Sequence, residues 1–330
     1  MLKYEDVPEP RLGPGEALVK VQACGVNRVD IWARMGRYKT QLPHTLGTDV
    51  SGEVVEVSHA SGSIAVGDRV VVYSVLTDGT CRYCKSGHPN RCTNIGLFGV
   101  ASDGGYAQFV KVQTNNLIKF TELDFTEAAA LPVNFGTAWN GLVTNAKVTS
   151  SDIVLVWAGG SGVGHAAIQI AKLRGATIIA TAGSDEKLPL LTELGAHHVI
   201  NHTKEDVVQK VREITDGYGA DVVFDHIGGD TWQKSLESLA KGGRMIPLGV
   251  TTAASSEVDI GRLYRNELSI LGTYAYTRED LLAVLDLAAA GKIGPIVYRR
   301  LPLESAKQAH EILESRINFG KIILLPWQVE

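Results

Sequence analysis

Cys81, Cys84 and Cys92 stand in the stretch "TDGTCRYCKSGHPNRC" (77–92) with the spacing C-x2-C-x7-C. Three thiolates so placed can gather round a tetrahedral metal, zinc above all, and a closed site needs a fourth ligand. His88, inside the same stretch, is one candidate. Three of the chain's four cysteines lie here, which suits a metal lobe in a reducing compartment better than a set of disulfides. The fourth, Cys24, ends an apolar run and reads as a small core thiol. A second motif is "AGGSGVG" (158–164). Backbone amides of Gly159, Gly160, Ser161, Gly162, Val163 and Gly164 can approach a pyrophosphate there, at the start of a helix. Ser161 occupies the position that is the middle glycine of the usual G-x-G-x-x-G. The strand after it, "TIIATAGSDEK", ends at Ala182-Gly183-Ser184 without a carboxylate. An acid at that point would bind a ribose hydroxyl and select NAD. Ser184 and Lys187 instead suit a 2′-phosphate, so the expected cofactor is NADP(H) rather than NAD(H).

Two kinds of element must position these motifs. From 17 to 75 short Val-rich runs, "ALVKVQACGV", "SGEVVEV" and "DRVVVYSVL", are broken by "GPGE" and "VGD", and "GGYAQFVKV" (104–112) continues the pattern. That is the signature of an antiparallel, barrel-like domain. Near 125 the rhythm changes. Ile153–Trp157 form an apolar run suited to a buried parallel strand. An amphipathic helix follows with Gly175 at its end, and then another strand. "ADVVFDHIGG", "GGRMIPLG" and "ELSILGTYA" (267–275) predict further strands, separated by helices at 204–216 and 230–240. Thr277 caps a helix with acids in its first turn. Alternating β and α implies a doubly wound sheet. "IVYRRLPLE" and "FGKIILLP" return to short strands, so the tail rejoins the first domain. The predicted organisation is α/β: a barrel domain of residues 1–122 and 291–330, and a dinucleotide domain of 123–290.

The 330 residues suffice for two domains. A net charge of −4 gives no basic field for nucleic acid or an anionic membrane. No apolar run is long enough to span a bilayer. The acidic, Pro-rich start "MLKYEDVPEP" is not a secretory signal. A globular cytoplasmic protein is expected.

In order along the chain, "ACGVNRVD", "LPHTLGTDVSGEVVEV", "GDRVV", the cysteine lobe, "GGYAQFV", "AAALPVNFGTAW", "AGGSGVG" and "FGKIIL" together resemble the medium-chain dehydrogenase/reductase family over nearly the whole length. The resemblance implies a GroES-like β-barrel catalytic domain and a Rossmann domain with the active site in the cleft between them. Family members usually start with one more strand before "LKYEDVPEP", and that strand is not expected in this sequence. Zinc alcohol dehydrogenases of the family place catalytic ligands where this chain has Asn27, Thr48 and Val133. Valine cannot bind zinc, and Asn and Thr bind it poorly. The pattern resembles zinc-free quinone oxidoreductases, so no catalytic zinc is expected. The family's structural zinc lobe has a cysteine three residues before the position of Cys81. Here that position is Asp78, which completes a set of Asp78, Cys81, Cys84 and Cys92, with His88 as the rival fourth ligand.

The resemblance also supplies the remaining site residues. Asn27 and Thr48 are candidate donors to a carbonyl oxygen, and Tyr38 a candidate proton donor or pocket wall. Trp32, Asp49 and Val133 line the substrate pocket, and His44 is a weaker candidate for a proton relay. Asn134, Thr137 and Trp139 approach the nicotinamide and its ribose. Gly228, Gly249 and Val250 end strands on the cofactor side, and His202 lies near the adenosine phosphate. The expected reaction is hydride transfer from NADPH to a quinone, an enone or an activated or aryl ketone. A zinc-dependent alcohol dehydrogenase and a non-enzymatic NADPH-binding protein are the alternatives. As in relatives, "ELSILGTYA" could pair across a two-fold axis, giving a homodimer or homotetramer.

Overall fold

The computed structural model describes residues 2–58 and 62–328. The chain divides into two compact units, one running up to Gly136 and resuming at Ala275, the other from Thr137 to Tyr274. The first unit contains β1 (Glu16–Val26), α1 (Arg28–Arg34), β2 (Asp49–Val57), β3 (Arg69–Val72), β4 (Val75–Leu76), α2 (Arg82–Lys85), β5 (Gly96–Leu97), β6 (Phe109–Gln113), β7 (Leu117–Lys119) and α3 (Phe125–Ala130). The second contains α4 (Thr137–Trp139), β8 (Ile153–Val156), α5 (Gly162–Leu173), β9 (Thr177–Ala182), α6 (Leu188–Leu194), β10 (His198–Asn201), α7 (Val207–Ile214), β11 (Ala220–Asp225), α8 (Gly229–Ser238), β12 (Leu239–Pro247), α9 (Ile260–Arg265) and β13 (Ser269–Ile270). The chain then returns to the first unit with α10 (Arg278–Ala289), β14 (Val297–Pro302), α11 (Ala306–Ser315) and β15 (Lys321–Leu325).

In the first unit β1 is the organiser. Its length lets it pair with β2 on one side and with β6 and then β15 on the other, giving the strand order β14-β15-β1-β2-β3-β7 with β6 beside β1. Valines of β1, β2, β3 and β6 fill the core with Phe98 and Leu117, as β-branched side chains do on a pleated surface. Gly25 lies between two partners, paired with Asp49 on β2 and Ile323 on β15. The last strand therefore borders the point where α1 begins.

The second unit holds a six-stranded parallel sheet in the order β10-β9-β8-β11-β12-β13. Numbered within the unit this is 3-2-1-4-5-6, the Rossmann order, whose switch point lies between β8 and β11. Thr277 caps α10, accepting from Asp280 N. The strand expected over 267–275 is corrected to the two residues of β13. Positive φ at Glu267 and Ala275 bends the backbone at both ends of that run. The division between units also falls elsewhere than the sequence expectation of 122/123 and 290/291. α3 packs on β1 and β2. Arg278, at the start of α10, donates to the carbonyls of Asn115 and Leu117. Both segments thus join the first unit. No helix among the described residues is long and apolar enough to cross a membrane.

Candidate active site and zinc lobe

α1 starts at Asn27, whose backbone N–H donates to Asp30 Oδ2 (2.7 Å). The other Asp30 oxygen accepts from the Thr48 hydroxyl (2.9 Å). Asn27 Nδ2 donates to Asp49 Oδ2 (2.8 Å), and the backbone N–H of Val133 donates to Asp49 Oδ1 (3.0 Å). The sequence-predicted residues Asn27, Thr48, Asp49 and Val133 are therefore brought together, around a residue the sequence reading did not single out. Lys321, the first residue of β15, reaches in and donates to Asn27 Oδ1 (2.6 Å) and Asp49 Oδ2 (2.5 Å). The side chains of Lys321 and Asp49 are 2% and 0% exposed. A buried carboxylate persists when it is paired and fully hydrogen-bonded, and Asp49 is both. The signal that could have found Lys321 is a lone charge at the head of the apolar run "KIILL".

Burial pushes the Asp30 carboxyl up to about 6, against the opposing pull of the Asn27 and Thr48 bonds and of Lys321. Tyr106 extends the network, donating to Asp30 (3.4 Å) and bonding His310 Nε2 (3.0 Å). Burial, with Arg34 nearby, holds the His310 imidazole down at about 4.

The structure corrects one expected donor. The single hydroxyl proton of Thr48 is given to Asp30, and its side chain is fully buried, so it has none for a substrate. Tyr38 packs beside the apolar cluster of Ala33, Leu46 and Val100. Trp32 carries the Arg37 guanidinium over its ring. His44 bonds Gly99 O and lies 3.6 Å from Asp103, a loop-fastening role rather than a relay. Cys24 is a buried core thiol; burial, with Asp30 and Asp49 nearby, raises its pKa well above the usual thiol value.

A catalytic zinc does not fit this donor set. One of its three family positions is apolar, one is a hydroxyl already committed to Asp30, and the third amide is held by an ammonium. A dication would have to share the pocket with that ammonium at close range in a low-dielectric interior.

The lobe gives the opposite result. Asp78, Cys81, Cys84 and Cys92 present ligand atoms all within 4.8 Å of one another, and His88 is not part of the group. Cys81 Sγ is 3.5 Å from Cys84 Sγ and 3.8 Å from Cys92 Sγ. A tetrahedron with Zn–S arms of about 2.3 Å has edges of about 3.8 Å. Asp78 Oδ1 accepts from the backbone N–H groups of Thr80 and Cys81, which hold its carboxyl down at about 2. Hydrogen bonds to its sulfur lower Cys81 to about 6, whereas burial raises Cys84 to about 11. These four residues would hold a structural zinc.

In the second unit Ser161 is the N-cap of α5, its Oγ accepting from Gly164 N (3.0 Å) and bonding His226 Nε2 (2.9 Å). A capping serine thus explains the missing middle glycine. Gly159 is needed for packing, since a Cβ there would meet Ile168 Cδ1 and Leu191 Cδ2 at 2.8 Å. Gly160, Gly162 and Val163 complete the turn. His202 stands beside Gly183 and bonds Thr181 Oγ1 (3.0 Å). Asp185 is tied to Asn201 (2.6 Å) and Lys204 (2.5 Å), next to Ser184 and a half-buried Lys187. Gly228, Gly249 and Val250 share the wall of a cavity of about 310 Å³ with Asp225 and Trp232; the Gly-rich turn is not part of it. Thr137 and Trp139 lie on α4. Asn134, in the first unit, is 5% exposed and its Nδ2 has no protein partner. An orphaned buried donor is what a bound polar group would satisfy. Within the second unit, the glycine turn at the start of a twelve-residue helix fits the pyrophosphate of a nicotinamide dinucleotide.

Residues 13–122 match the family model for the alcohol dehydrogenase GroES-like domain, and residues 162–290 that for zinc-binding dehydrogenase. A protein named NAD-dependent alcohol dehydrogenase from Sulfurisphaera tokodaii is 33% identical, the match covering 98% of this chain and 96% of that protein. The chain belongs to the medium-chain dehydrogenase/reductase family. A quinone oxidoreductase from Rattus norvegicus is 32% identical over 97% of this chain and 92% of its own. A crystal structure of an NAD-dependent alcohol dehydrogenase superposes with a TM-score of 0.93 at 40% identity, covering 97% of this chain and 94% of that one. This family member is an oxidoreductase. The model described as zinc-binding matches residues outside the lobe at 78–92, so that description says nothing about the metal chemistry at Asn27.

Proposed function

We propose that the protein reduces a carbonyl conjugated to further unsaturation, a quinone, an enone or an aryl ketone, and does so without a catalytic zinc. The observation that carries this reading is the buried Lys321–Asp49–Asn27 cluster where the family's zinc enzymes keep their metal. A bound nicotinamide would supply a hydride to the acceptor carbon, and the reduced oxygen would take a proton from solvent. In this reading Asn27 donates to that oxygen while charge develops on it, the role a metal fills in zinc enzymes. A neutral amide offsets less charge than a dication, which favours acceptors that delocalise the charge themselves. A small-molecule substrate and a cytoplasmic setting belong to the same reading.

NADP(H) is the proposed cofactor. β9 ends without an acid, Asp185 is engaged by Asn201 and Lys204, and Lys187 follows two residues later at the end of the same short turn. In a fluorescence titration NADPH should bind at least tenfold more tightly than NADH; the reverse order would overturn the choice.

The decisive experiment couples elemental analysis with activity. Protein purified without chelator should carry one zinc per chain, and reduction of a quinone and enone panel should survive removal of any loosely bound metal. Two zincs per chain, with activity lost on chelation and restored by zinc, would establish an alcohol dehydrogenase instead. Two relatives' names point that way.

A further inference from the structure

Lys321 is the one charged residue of β15, whose first four residues are all buried. Its stem passes β1 at Gly25, where a Cβ would lie 2.5 Å from Lys321 Cε. Only glycine leaves room for it. The ammonium then meets two acceptors, Asp49 Oδ2 and Asn27 Oδ1.

An ammonium has donors and no acceptor. The Asn27 atom that faces it must therefore be the oxygen, which settles the orientation of the planar amide. Nδ2 is turned the other way. One of its protons goes to Asp49 Oδ2, and among the described residues nothing accepts the second. Asp49 cannot turn to take it, because Val133 N and Lys321 hold both of its oxygens. Asn27 keeps 5% of its surface open, so the residue is buried but not sealed. Without Lys321 only the bond to Asp49 would oppose a half-turn of the amide, which would present its oxygen and repel a carbonyl.

We propose that Lys321 is a positioning residue of the acceptor site: clamped to Asp49, its buried ammonium fixes the Asn27 amide so that one Nδ2–H is held for the carbonyl oxygen of the acceptor. It rests on the reading of the protein as a zinc-independent carbonyl reductase and adds the group that makes Asn27 a donor. Hydrogen bonds in such a chain polarise one another in a low-dielectric interior, so the ammonium also strengthens the donor it orients.

Lys321→Met alone leaves Asp49 as an uncompensated buried charge and is expected to fold poorly. The test therefore uses the charge-balanced pair Lys321→Met with Asp49→Asn, alongside Lys321→Arg and Asn27→Ala. The paired variant should lose kcat on the order of 10²-fold, as when an oxyanion donor is removed. Its Kd for NADPH should stay within about twofold of wild type, and Lys321→Arg should recover part of the loss. Adding Asn27→Ala to the pair should cost nothing more, since the residues act as one unit. A second measurement needs no substrate. In protein labelled with 15N-asparagine, one Asn27 side-chain proton should exchange slowly in the wild type, and the paired variant should lose that asymmetry.

Turnover of the pair within threefold of wild type would overturn the proposal. So would fully multiplicative losses on adding Asn27→Ala, a defect confined to cofactor Kd, or Asn27 signals that do not move. If the wild type reduced no acceptor, the functional reading would fall, and the amide exchange would still decide whether Lys321 sets Asn27.

Discussion

Asp30 shows how a single buried carboxylate ties the site to pH. Its carboxyl titrates near 6 in the fold because burial outweighs the bonds that favour its charge. An acid whose folded pKa is raised is easier to keep protonated in the native state than in the unfolded chain. Its contribution to stability is therefore complete below about pH 4 and is lost as pH rises through about 6. The difference amounts to about 2–3 kcal/mol. Asp30→Asn removes the titration, so the unfolding free energy measured in urea should fall less between pH 4 and 7 in the variant than in the wild type. Parallel curves would show that Asp30 titrates at an ordinary value. His310 works in the opposite direction: its folded pKa is depressed, so its contribution is present above about 6.5 and is lost as pH falls towards 4. Comparison with wild type cancels that term.

At the scale of elements, three strand ends make the site: the end of β1 leading into α1, the start of β2, and the start of β15. Gly25 sits where they meet, and its missing side chain is what lets β15 send Lys321 across β1. Gly25→Ala would set a methyl 2.5 Å from Lys321 Cε and 2.7 Å from Ala129 O. Overpacking of this kind typically costs about 1–3 kcal/mol. The variant should unfold earlier in denaturant and should lower kcat in the same direction as the paired Lys321 variant, measured with saturating cofactor. Full stability and turnover would mean the lysine has another path. Legibility followed the same division. The cysteine lobe and the glycine turn were readable because the residues of each lie within fifteen positions of one another. The helix capped by Thr277 was readable for the same reason. Lys321 was not, since "FGKIIL" looks like any strand and nothing local says that its lysine turns inward. Thr48 was misjudged as a donor because its partner Asp30 is known only once α1 and β2 are side by side.

For the whole molecule, the alternation of strand and helix patterns implied a doubly wound sheet, and the short strands after residue 291 implied the return of the tail; the strand order 3-2-1-4-5-6 is visible only in the structure. The boundaries differed because α3 and α10 carry the periodicity of an α/β domain while packing against the barrel strands. That return has a consequence for how the protein is made. Asp49 and Lys321 are separated by 272 positions. At about 5–20 residues per second of synthesis, the carboxylate spends roughly 14–54 s on the ribosome before its lysine exists. During that time β1 also lacks the neighbour that covers Cys24–Val26. The amino-terminal sheet cannot be finished by the segment that begins it, while the Rossmann unit, contiguous in the chain, can fold first. A chain cut short by even a dozen residues would emerge with its dinucleotide unit able to form and its reaction centre unbuilt.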